Sequence, residues 1–155
     1  MTWLKNSLVS SHATFKFIAV GNEVLNPFAE KECLRHYSCE FNDLINFIVA
    51  YKIEGVVFLT GDRHFSEVIG WQPKGGYKMF DICTSALTSK PYDLTGKPEL
   101  TNPSRIPKTL VMENNFAIIS ISGEENNRKL KMLCLDIKGQ VKSQFEISEQ
   151  DLKFK

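Results

Sequence analysis

Neither sign of charge is in excess in this 155-residue chain: 19 lysines and arginines stand against 18 aspartates and glutamates, a formal net charge of +1. So even a balance offers no basic face for phosphate backbones and no block of like charge to act as a tail, so no nucleic-acid-specific surface is expected. Long apolar runs are also missing. No stretch approaches the roughly 18 residues needed to cross a bilayer, so no membrane segment is expected, and the first twenty positions show no signal peptide. Cysteine is sparse and unpaired: Cys33, Cys39, Cys83 and Cys134 make no C-x-x-C spacing. They read as buried free thiols rather than a zinc site or a disulfide frame. No G-x-S-x-G elbow surrounds Ser85 or Ser89, which leaves a serine hydrolase without support. Internal repeats, low-complexity segments and linkers are absent as well.

What is present suits one domain, residues 1–155, with a real core: 43% of the residues are hydrophobic and 24% charged. Trp3, Leu4, Leu8 and Val9 predict a short helical stripe within Thr2 to Ser10. Phe15 to Val20 predicts a buried strand that breaks at Gly21 and Asn22. Phe41, Leu44, Ile45, Ile48 and Val49 follow the spacing of an amphipathic helix, with Ser38 as its expected N-cap and Gly55 beyond its end. Val56 to Thr60 then returns to a strand. A strand, helix, strand unit of this kind crosses over right-handed and leaves its strands parallel. A third strand is expected over Tyr77 to Cys83, a long ordered loop over Thr84 to Pro107, and an antiparallel meander from Phe116–Ile121, Leu130–Leu135 and Lys142–Ile147.

The parallel unit has a functional consequence, because in open α/β sheets ligands gather outside the carboxyl ends of the strands. The turns opening at Gly21 and Gly61 share that edge, which brings Asn22 and Glu23 toward Asp62 and His64. Asp62 offers a hard anionic oxygen and His64 a borderline nitrogen, a mixture favouring zinc, iron or manganese over an all-oxygen site. A catalytic metal needs at least three protein ligands, and further candidates are Asn22, Glu23, His36 and Asp81. A Gly-Asp turn after a strand also arises for backbone reasons alone. His36 reads as a solvated histidine and His12 as a helix-end residue.

Several segments together resemble the C-terminal half of the alkaline phosphatase D (PhoD-like) family, a branch of the calcineurin-like metallophosphoesterases. Trp3, Leu4 and Leu8 are similar to its Q-x-x-W-L helix without the beginning, and Ala13 to Ile18 to the strand that follows. Gly21 to Asn26 resembles a loop in which glutamine often stands at the position of Glu23. Gly55 to Glu67 is the nearest likeness and contains the G-D-x-H signature as Gly61, Asp62, Arg63 and His64. Asp81 to Ser89 and Asn114 to Phe116 extend the resemblance over nearly the whole chain. It implies an α/β fold: the C-terminal half of an α/β/β/α sandwich, a strand-helix-strand unit followed by a mostly antiparallel meander. It also implies a metal-dependent phosphoesterase acting on phosphate mono- or diesters with divalent or trivalent iron, zinc, manganese or calcium. Asp62 and His64 would be the metal ligands, His64 the catalytic group, and Asn22, Glu23 and Arg63 substrate contacts. Alternation with Asp62 and His64 predicts that Arg63 faces outward. The family's first metal-binding motifs have no equivalent here, so the isolated chain is expected to be inactive. The other reading is a non-catalytic α/β module that self-associates or binds a partner. The family is often exported, and this sequence assigns no compartment.

Overall fold

The structure, a computed structural model, describes all residues from Met1 to Lys155. Two β-sheets lie face to face, with helices on the outer side of the first. The first sheet holds β1 (Lys16–Ala19), β2 (Val56–Thr60), β3 (Glu67–Trp71) and β4 (Met79–Cys83) in the order β1-β2-β4-β3. β1 and β4 both run parallel to β2, whereas β3 is antiparallel to β4. The second sheet is the antiparallel meander β5 (Asn115–Ser122), β6 (Lys129–Asp136) and β7 (Val141–Ser148). The α/β class, the parallel crossover and the meander therefore match the sequence reading. No helix is long and apolar enough to cross a membrane.

The crossover helix α2 (Ser38–Ala50) buries Phe41, Leu44, Ile45 and Ile48, the stripe that the periodicity predicts. Ser38 is its first helical residue rather than its cap: Tyr37 holds the N-cap position, and no side chain caps there. The short helix α1 (Thr2–Ser10) buries only Leu8, with Leu4 half-buried, while Trp3 is 78% exposed and Val9 53%. Leu4 and Leu8 stand four apart on one line of the helix, and Trp3 and Val9 each lie about 100° off it, so the predicted stripe narrows to two leucines.

β2 and β4 are covered on both faces, which accounts for their unbroken apolar sequences. On one side Phe41 of α2 stacks obliquely on Trp71 of β3, with ring centres 5.6 Å apart. On the other, Phe80 of β4 meets Phe145 of β7 at 5.0 Å. β3 is the strand that the sequence did not announce, since its five residues include a glutamate and a glycine. Glu67 is nevertheless fully buried there, because partners from distant segments satisfy its carboxylate.

Gly55 fixes the entry to β2. Its φ is +78°, and a Cβ at this position would lie 2.0 Å from the carbonyl oxygen of Thr14, backbone that cannot swing aside. Its carbonyl accepts the Lys16 N–H at 2.7 Å, the first bond between β1 and β2. Gly55→Ala should therefore destabilise the chain by about 2–3 kcal/mol, read as a lower urea midpoint at unchanged slope.

Candidate functional site

β2 ends at Thr60, and the two turns expected to share this edge touch there: the Gly61 N–H donates to the carbonyl of Gly21 at 3.1 Å. Asp81 holds them together from β4. Its carboxylate accepts the N–H groups of Val24 at 2.7 Å and Leu25 at 3.0 Å, and the Thr60 hydroxyl at 2.6 Å. Both oxygens are thus engaged and the side chain is fully buried, so Asp81 is not a metal ligand. It is the post on which the loop carrying Asn22 and Glu23 hangs.

Beyond Gly61 the backbone leaves the strand pattern. Asp62 and His64 take φ values of +65° and +60°, left-handed conformations uncommon outside glycine, with Arg63 between them. Asp62 is exposed and His64 half-buried, and both line a cleft of about 370 Å³ with Lys31, Glu32, Arg63 and Tyr92. His64 is held on three sides by the segment after β4. Its N–H donates to Ser85 Oγ at 3.0 Å, its carbonyl accepts from the Tyr92 N–H at 2.8 Å, and its Nδ1 lies 2.9 Å from the Lys90 carbonyl. A carbonyl only accepts, so Nδ1 carries the proton and Nε2 keeps its lone pair for another partner.

The outward orientation expected for Arg63 is not found. The residue is 5% exposed and turned beneath the cleft, because the left-handed residues on either side cancel the strand alternation on which that expectation rests. Arg63 Nη2 donates to both carboxylate oxygens of Glu99, at 2.5 and 2.6 Å, and its Nε lies 3.3 Å from Glu23 Oε2. Glu23, expected as a substrate contact, is likewise fully buried in this floor. Asn22 is half-buried outside the cleft, lining a separate depression with Cys33 and Tyr37, and its amide donates at 3.2 Å to Glu32 of the cleft wall.

Glu23, Glu67 and Glu99 bring carboxylate oxygens within 4.8 Å of one another, the only group of three or more metal-type donors so gathered. Their centre is taken. The Asn26 amide nitrogen lies 3.0 Å from Glu23, 3.1 Å from Glu67 and 3.2 Å from Glu99. Its oxygen, in turn, accepts from the Phe28 N–H and the Asn102 amide, which fixes the amide's orientation. Arg105 neutralises Glu67 from the side. The triad is therefore tied into a network of contacts within the chain, in which Glu23 Oε1 and Arg63 Nε and Nη1 are left without a hydrogen-bond partner. Asp62 and His64 in the cleft above supply two candidate donors, short of a complete site.

Four acids, Glu23, Glu67, Glu99 and Asp81, share this floor with two arginines. Burial pushes Glu23 well above the usual carboxylate range, reinforced by the charges of Glu67 and Asp81 and opposed by Arg63. Burial also lifts Asp81 to about 6, outweighing its hydrogen bonds to Thr60, Leu25 and Val24. Glu99 is raised by burial and held back by Arg63. Glu23 Oε1 has no hydrogen-bond partner within the chain.

The sequence reading missed Asn26, Glu67, Glu99, Asn102 and Arg105. Glu99, Asn102 and Arg105 lie in the loop expected over Thr84 to Pro107, where a polar composition gave no sign of burial. His12 and His36 are exposed and outside the cleft, and Ser89 is exposed. Cys33, Cys83 and Cys134 are buried free thiols as expected, whereas Cys39 is exposed.

No family model matches this sequence, and no curated protein matches it. A solved structure described as "Structure of PhoD" superimposes on 99% of the chain with a TM-score of 0.70 at 17% sequence identity. The fold is that of part of PhoD. The chain spans 33% of the length of that PhoD chain, so two thirds of PhoD has no counterpart in this sequence.

The floor makes stability depend on pH with a definite sign. Asp81 titrates near 6 when folded and near its ordinary 3.8 when unfolded, so between these values the folded chain retains a proton that the unfolded chain has released. Stability therefore falls as pH rises through that window, by on the order of 2–3 kcal/mol for Asp81, with Glu23 acting in the same sense. Urea titrations should show greater stability at pH 5 than at pH 8. Glu23→Gln, which mimics the protonated acid, should reduce that difference without loss of stability at pH 8.

Proposed function

We propose that the chain is the C-terminal part of a metal-dependent phosphoesterase, and that its catalytic centre is completed by polypeptide outside this sequence. The observation that carries this reading is the cleft at the carboxyl end of β2. Asp62 and His64 line it together, and His64 is fixed with Nε2 free, in a fold shared with PhoD. Asp62 and His64 would hold the metal, which would supply charge to polarise a phosphate ester. Lys31 lines the cleft, where an anionic ester would enter, and Asn22 bonds Glu32 of its wall. Glu23 and Arg63 support the turn from below.

The isolated chain should not turn over p-nitrophenyl phosphate with iron, zinc, manganese or calcium present. A chimera in which this chain replaces the matched third of PhoD should do so, and His64→Ala in that chimera should lower the rate by at least about 100-fold. Enzyme-like turnover by the isolated chain, or a chimera indifferent to His64, would refute the reading.

A second reading, a module acting through self-association, is favoured by the outer face of the meander. Phe116 is 37% exposed, Ile118 51% and Val141 54%, and cross-strand register sets Phe116 against Leu135, Ile118 against Leu133 and Leu135 against Val141. This continuous apolar row has no cover in the chain, and a net charge of +1 raises little repulsion between copies. Light scattering should find a dimer that Ile118→Lys converts to monomer. A wild-type chain that is monomeric at high concentration would exclude this reading.

A further inference from the structure

We propose that Arg63 is a positioning residue, and that its buried ion pair with Glu99 holds His64 in the one tautomer and orientation that presents Nε2 to the cleft. What this contributes to catalysis rests on the phosphoesterase reading, whereas the geometry it claims does not.

The turn is held in a strained backbone. Two non-glycine residues in left-handed conformations flank Arg63, each at a cost of about 1–3 kcal/mol that the surroundings must offset. Three of the bonds that fix His64 come from Ser85, Lys90 and Tyr92, all on the irregular segment between β4 and β5. That segment carries Glu99 on a short turn of 3-10 helix, Pro98–Thr101, and Glu99 is where Arg63 anchors. The ion pair thus closes a loop in space: it draws the segment against the turn, and the segment then offers the Lys90 carbonyl to the imidazole.

Chemistry explains why the anchor is arginine. A guanidinium stays charged when buried and spreads that charge over three nitrogens, so that Nη2 bonds Glu99 while Nε lies 3.3 Å from Glu23 Oε2, whereas a lysine offers a single point of charge. Asn114 holds the Ser89 carbonyl at 2.9 Å from the other side, so loss of the ion pair leaves the segment tethered but no longer drawn against the turn, and the proton on the imidazole is then less strictly confined to Nδ1.

The test reads the tautomer of His64 by two-bond ¹H–¹⁵N NMR on the whole chain above about pH 8, where an ordinary imidazole is neutral. The chain has three histidines, and the His64 signals are identified by their loss in His64→Gln. Wild-type protein should show the Nδ1–H form in clear majority. The double variant Arg63→Met/Glu99→Leu removes both buried charges, so it should still melt cooperatively, but with the Nε2–H form now predominant. Arg63→Lys should give a mixture. A pair that serves stability alone would lower the melting temperature and leave the tautomer of the folded protein unchanged. Retention of the Nδ1–H form in a folded double variant therefore overturns the proposal, as does a wild-type chain in the Nε2–H form. Should the double variant not fold, Glu99→Ala, which removes the anchor and leaves Glu23 Oε2 beside Arg63, decides by the same readout. None of these signals requires metal or turnover, so the proposal and the phosphoesterase reading can fail separately.

Discussion

A buried guanidinium cannot shed its proton, and that constraint organises this end of the molecule. Once Arg63 turns inward it must be met by carboxylates. They come from two segments far apart in sequence, Glu23 on the loop after β1 and Glu99 on the segment before β5. The carboxylates then need donors of their own, and these are Asn26 at the centre and Arg105 at the side of Glu67. Each requirement recruits the next, until the floor beneath the cleft is tied to both sides of the first sheet.

The sheet supplies the stage for this. Parallel pairing of β1, β2 and β4 sends three chain exits to one edge, and Asp81 fastens the first exit to the third by accepting the N–H groups of Val24 and Leu25. The second sheet is tied in at the same edge. Asn115, the first residue of β5, donates to the Ser85 carbonyl at 2.7 Å and accepts the Ser66 hydroxyl at 2.5 Å. The meander thus braces the segment that holds His64, although none of its residues lines the cleft.

The elements with strong apolar periodicity were legible in the sequence. α2 shows its buried stripe because a helix covering one sheet face must repeat every three to four residues. The meander shows alternation because each of its strands has an inner and an outer face. That Asp62 and His64 would meet at the carboxyl end of β2 was legible from local order alone, a strand, a glycine and two metal-type side chains. What lay hidden depended on partners distant in sequence. Glu67, Glu99, Asn102 and Arg105 look like surface residues until the fold sets them against one another, and β3 looks unlike a strand because it contains one of them. The direction of Arg63 was misjudged for a related reason: strand alternation was carried past Thr60 into a turn whose backbone no longer obeys it.

The charge balance of the floor bears on the order of events in a divided active centre. Had the triad of glutamates been an open cation site, the chain without metal would bury repelling carboxylates, and folding would wait on the ion. Here Asn26 fills the centre, two arginines neutralise part of the charge, and burial raises the proton affinity of Glu23 and Asp81. The contacts that hold the floor together therefore lie within the chain itself. Asp62 and His64 differ in kind: they face the cleft, and the Nε2 lone pair of His64 has no partner within the chain. Folding and completion of the centre are separable steps in such an arrangement. This part of the fold holds both side chains in place by itself, and under the phosphoesterase proposal the chemistry would begin only when a further segment of polypeptide supplied the remaining ligands.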